Sequence, residues 1–138
     1  MTGLARNGLD TFKTVDEAAE YLCKTKGFTT REQCMKYLYE KIPYEKDYQK
    51  NIMEFLKSRY PKAFVWKAAA GAYSRGGIPD ICAVIDGTFF GFEVKRPLLG
   101  KASALQKVTI KRITSAGGVA AVVSFPEEVQ KIIERAKA

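Results

Sequence analysis

The stretch Gly77-Ile78-Pro79-Asp80-Ile81-Cys82-Ala83-Val84-Ile85-Asp86-Gly87-Thr88-Phe89-Phe90-Gly91-Phe92-Glu93-Val94-Lys95 decides how this chain is read. Two apolar runs rich in β-branched and aromatic residues flank Asp86-Gly87. Asp-Gly between such runs is a strong hairpin signal, because a tight two-residue turn needs positive φ at both positions. Strands over about 78–85 and 88–95 follow. With a two-residue turn, Ile85 faces Thr88 and Asp80 faces Glu93. Opposed side chains share a face, with Cβ atoms about 4.5–5.5 Å apart. Lys95, two residues beyond Glu93, returns to that face. A four-residue loop keeps these pairs, whereas a three-residue loop slips the register.

Two opposed carboxylates repel, and nothing in a hairpin's stability asks for them. A divalent cation resolves the conflict, since hard Mg2+ takes carboxylate oxygens and water. It can act on phosphate as a Lewis acid and lower the pKa of a bound water. Lys95 can then stabilise developing charge. The plainer reading is a charged hairpin end in which Lys95 pairs with Glu93, and a lone D…ExK pattern does not choose between the two.

Working outward, Glu45, Tyr48, Gln49, Ile52 and Leu56 fall at helical spacing over about 44–59. The apolar face of that helix, with Phe55, thus ends in Glu45 and Gln49. Glu45 equally suits a helix N-terminus electrostatically. Ala63–Ala68 predicts a strand, and 70–77 a flexible, glycine-rich stretch. In a helix over 103–116, Gln106 shares a face with Ile110 and Ile113 and points toward the sheet. Ser103-Ala104-Leu105-Gln106 is also a capping box, so Gln106 has a local use as well. Gly117-Gly118 ends that helix, Val119–Ser124 forms a last strand, and Pro126 opens a last helix. The order from residue 45 is α-β-β-β-α-β-α.

Upstream, Thr14-Val15-Asp16-Glu17 predicts a capped helix, with Val15, Ala18, Ala19, Leu22 and Cys23 as its stripe and Gly27 as its stop. A second helix from Thr29 or Thr30 to about Lys41 carries Cys34, Tyr37 and Leu38. It lacks basic enrichment, so this helical hairpin over 1–43 reads as a packing extension rather than a DNA-reading helix-turn-helix. The rest of the chain, from 44 to 138, reads as a second unit.

Composition narrows the chemistry. The 138 residues contain no histidine, which removes Ser-His-Asp and Cys-His catalysis and histidine zinc sites. Cys23, Cys34 and Cys82 lack metal spacing and read as reduced, mostly buried thiols of a cytoplasmic protein. No run suits a membrane span, and the first ten residues lack a signal's apolar core. The net charge is +8, and residues 45–138 carry nearly all of the excess. That suggests a polyanion, although lysine added for solubility gives the same number. Residues 94–126 hold Lys95, Arg96, Lys101, Lys107, Lys111 and Arg112 and no acidic residue. This is a candidate phosphate track, with Arg75 and the amides of Gly76 and Gly77 as further contacts.

The Gly77-Ile78-Pro79-Asp80, Glu93-Val94-Lys95 and Ser103-Ala104-Leu105-Gln106 order, with Gly117-Gly118 and the following strand, resembles the VRR-NUC branch of PD-(D/E)XK nucleases over about 44–135. The resemblance implies a restriction-endonuclease-like α/β core, a mixed four-stranded sheet flanked by helices. It implies that Asp80, Glu93 and the Val94 carbonyl bind the metal, that Lys95 is the catalytic lysine, and that Glu45 and Gln106 line the site. It further implies Mg2+ with Mn2+ accepted, branched DNA such as Holliday junctions or flaps in replication, repair or recombination, and a homodimer. Small stand-alone members are phage-type, which would place the protein in a host cytoplasm. The rival readings are a non-catalytic DNA-binding module on the same fold and a restriction-type endonuclease. No evident recognition domain supports the second.

Overall fold

A computed structural model describes residues 8–68 and 76–138. Arg75 and the preceding part of the glycine-rich stretch lie outside the described residues. The elements are α1 (Val15–Lys26), α2 (Arg31–Lys41), α3 (Glu45–Arg59), β1 (Phe64–Lys67), β2 (Ile81–Ile85), β3 (Thr88–Val94), α4 (Ala104–Ser115), β4 (Val119–Val123) and α5 (Pro126–Lys137), after a short 3-10 turn at Leu9–Thr11.

The hairpin sets the sheet. Asp86 (φ 49°) and Gly87 (φ 81°) both take positive φ, the requirement of a tight turn whose twist matches its strands. Ile85 pairs with Thr88 and Ile81 with Phe92, so the expected register holds. β2 begins at Ile81, three residues later than expected. Pro79 has no N–H to give a ladder, and Gly77 turns the chain with φ 83°. The strands lie in the order β1-β2-β3-β4. The first two pairings are antiparallel, and β4 runs parallel to β3 after α4 crosses over. The sheet is therefore mixed, four-stranded and flanked by helices.

Alternation sorts the two faces. Ile81, Ala83, Ile85, Phe90, Phe92, Val94 and Val123 point to one side and are buried there. Tyr48, Ile52 and Leu56 of α3, with Val129 and Ile133 of α5, join the same core, as do Ala18, Leu22, Cys34 and Leu38 of α1 and α2. Burying a side chain of this size stabilises by about 1.5–3 kcal/mol. α4 packs on the other face, over β3 and β4.

Two local expectations change. Thr14 caps α1 by accepting from the Glu17 amide at 3.1 Å, but Glu17 returns its carboxylate to the Lys13 amide at 3.3 Å rather than to Thr14. Cys23, placed on the apolar stripe, is exposed, while Cys34 and Cys82 are buried. Leu22 is the inward residue, and one step of about 100° takes Cys23 off that face.

Candidate metal and catalytic site

Each acidic group is aimed by a local constraint. Asp80 follows Pro79, which lies flat on Gly91: a Cβ at Gly91 would meet Pro79 Cγ at 2.8 Å. The hairpin can accept the proline there because residue 91 has no side chain. Asp80 Oδ2 then accepts from the Val94 amide at 2.9 Å, which ties the aspartate across the strands. Glu93, directly opposite, is 1% exposed. Its Oε1 accepts from Gln106 Nε2 at 2.8 Å and lies 3.6 Å from Lys95 Nζ. Its Oε2 is buried, with no hydrogen-bond donor among the described residues. Glu45 opens α3 and accepts from Gln49 at 3.4 Å.

Glu45, Asp80 and Glu93 each bring one carboxylate oxygen to within 4.8 Å of the others. The electrostatics record the crowding. Burial, then the neighbouring Asp80, push the Glu93 carboxyl up to about 8, with Lys95 opposing. Burial also raises Glu45, with Asp80 adding and Lys95 opposing. Without a cation, a proton on Glu93 relieves the repulsion. Three converging carboxylates, one of them with a buried oxygen that no described residue satisfies, suit a hard divalent cation, which coordinates oxygen and offsets the like charge. Breaking such a cluster's balance is costly, because an uncompensated buried charge is among the most destabilising features a core can hold.

Gln106 does both things its position allowed. Its Oε1 accepts from the Ser103 amide at 2.8 Å, completing the capping box, while its Nε2 reaches Glu93. Lys101, Lys107, Lys111 and Arg112 are exposed. Val94 has a buried side chain. Gly76 and Gly77 have a packing reason for being glycine: a Cβ at either would strike Leu105 of α4, at 2.9 and 2.8 Å, and at Gly77 also Thr109 at 2.7 Å.

Arg96, expected on the phosphate track, is largely engaged with the chain. Its guanidinium donates to the carbonyls of Pro43 at 3.0 Å, Ile42 at 2.7 Å and Tyr39 at 2.9 Å. It also lies 5.5 Å from the ring centres of both Tyr39 and Tyr44. Three of its five donors fasten the α2–α3 connection, and so the start of α3 at Glu45, to the end of β3 just past Lys95. Arg96→Ala should lower unfolding stability by about 2 kcal/mol in a denaturant melt. Lysine should not rescue it, lacking the planar fork. A second residue escaped the sequence reading. Ser124 Oγ donates to the Lys95 carbonyl at 2.7 Å, and only the parallel pairing of β3 with β4 brings the two together.

A cleft of about 500 Å3 lies along the C-terminal half of α3 against α5, lined by Asn51, Phe55, Arg59 and Gln130. It is at the other end of α3 from Glu45. The converging carboxylates, and not this cleft, mark the candidate site.

A solved structure described as a VRR_NUC domain matches with a TM-score of 0.51 and 24% identity, over 63% of this chain and 95% of that one. The likeness shows the shared fold. No family model matches the sequence, and no curated protein matches it.

Proposed function

We propose that the chain is a metal-dependent DNA endonuclease that hydrolyses phosphodiester bonds and selects branched substrates such as junctions or flaps. The observation that carries this reading is the carboxylate trio within 4.8 Å, with a lysine 3.6 Å from its buried member. Phosphate binding alone would favour cations there, not three acids. The VRR_NUC likeness of the fold points the same way.

In this reading Asp80, Glu93 and the Val94 carbonyl hold the cation, Mg2+ or Mn2+. When bound, it supplies Lewis acidity toward a phosphate oxygen. Lys95 keeps its ammonium beside Glu93, where it meets negative charge building on the phosphate and orients the attacking water. Gln106 fixes the rotamer of Glu93 through Oε1, leaving Oε2 free to ligate. Glu45 offers a third oxygen, to the cation or to a water it holds. Residues 44–138 form the nuclease domain, 1–43 is a helical extension, and a homodimer would present two sites for cutting two strands.

The test is a panel of labelled duplex, flap, splayed-arm and four-way junction DNA with Mg2+, Mn2+ or chelator. Cleavage that needs the cation and favours a branched substrate supports the reading. Binding without cleavage under every condition would replace it with a non-catalytic DNA module. Lys107 and Lys111 are exposed on one helix and supply phosphate contacts. Lys107→Ala with Lys111→Ala should lower the slope of log affinity against log salt by about two units. The rate on saturating substrate should stay near wild type.

A further inference from the structure

Among the described residues, the sheet face opposite the core is only half covered. Pairing places Phe64 and Trp66 of β1, Val84 of β2 and Phe89 of β3 on that face, and α4 lies over β3 and β4. Phe64 is 69% exposed and Val84 36%. The rings form a row: Phe64 to Trp66 is 5.2 Å between centres, and Trp66 to Phe89 is 6.3 Å. Exposed contiguous apolar surface of this kind marks a binding surface more often than a scattered hydrophobe does.

Trp66 is the member of the row nearest the carboxylates, whereas Phe64 and Phe89 both oppose Val84, two residues farther from Asp80. Trp66 opposes Cys82, and Asp80 comes two residues further along on the same face, about 7 Å by strand geometry. Phe89, Ile78, Pro79 and Ile113 wall a cleft of about 290 Å3 with exposed Arg112, and Pro79 immediately precedes Asp80. Aromatic faces beside cations, in line with a phosphodiester-cutting site, match a single nucleic-acid strand: bases stack while phosphates pair with basic groups. A duplex keeps its base faces stacked internally and cannot use such a row. A second copy of the chain fits less well, since it would cover the face that holds Asp80 and Glu93.

We propose that Phe64, Trp66 and Phe89 form a stacking platform for unpaired nucleotides next to the scissile phosphate, with Arg112 on their backbone. This rests on the nuclease reading and would make the enzyme select DNA with a single-stranded arm.

Trp66 is the single tryptophan of the chain, so its fluorescence reports on the platform. Chelated protein is titrated with oligodeoxythymidylate, with an abasic oligomer of equal length and charge, and with blunt duplex. Saturable quenching is expected with the first. The abasic oligomer should bind at least about fivefold more weakly, and the duplex should quench little. Phe64→Ala removes an exposed ring, so its melt should match wild type while its Kd for the oligothymidylate rises about fivefold. Equal quenching by abasic and thymidine oligomers would overturn the platform. So would an emission change that follows protein concentration without DNA, which would give the face to a second copy. Quenching without cleavage of any substrate supports the platform and removes the nuclease reading, whereas cleavage without base-dependent quenching does the reverse.

Discussion

Asp80→Asn, Glu93→Gln and Lys95→Ala are each expected to cut the cleavage rate about a hundredfold to a thousandfold, the loss typical of removing one preorganised charge from a reacting centre. Circular dichroism should stay native. Glu93→Gln is the sharpest of the three. It keeps the volume of a side chain that is 1% exposed and changes only its charge and donor pattern. The double variant Asp80→Asn/Glu93→Gln should be little worse than either single one, because groups that act as a unit are not additive. Glu45→Gln and Gln106→Ala should lose about tenfold. Gln106→Ala should also lose some stability, since that side chain caps α4 as well as holding Glu93. Initial rates on a labelled branched substrate measure all of this, and a folded Glu93→Gln protein that cuts at the wild-type rate would falsify the site.

The second large effect concerns pH and metal. Burial and Asp80 raise the Glu93 carboxyl from 4.5 to about 8 in the folded chain. A raised carboxyl binds its proton more tightly when folded than when unfolded. Its protonated form therefore contributes stability that is complete below about 4.5 and is lost as pH rises through about 8. The metal-free protein should thus melt at least about 5 °C lower at pH 8.5 than at pH 5.5. Glu93→Gln, which has no proton to lose, should flatten most of that slope. Mg2+ or Mn2+ competes with the proton, so its stabilising effect should grow with pH and metal uptake should release protons. Calorimetry in two buffers of different ionisation enthalpy counts those protons. A wild-type protein whose melting temperature ignores both pH and metal over this range would show that the carboxylates are neither crowded nor ligating.

The local rules in the chain reach a long way here. Asp86-Gly87 forces a two-residue turn, the turn forces the register, and the register sets Asp80 against Glu93 with Lys95 beside them. Every link has a range of a few residues, so the sequence carries it. The same holds for Ser103 and Gln106, whose spacing is that of a capping box, and for the stripe of α3 that ends in Glu45. Where the reading stopped, long-range contacts were deciding. Arg96 stands in a run of cations and reads as a phosphate contact. Its destiny is set by three carbonyls more than fifty residues upstream, which no local spacing reveals. Gly76 and Gly77 look like a supple anion loop, yet Leu105 and Thr109 of α4 require the missing Cβ. That Phe64 and Trp66 share a face with the carboxylates depends on how β1 pairs with β2, and their exposure depends on α4 packing over β3 and β4. Side-chain direction along a strand or helix is fixed by backbone periodicity, which is local. What covers a face, or accepts a donor, depends on elements that pack only once the whole sheet has formed.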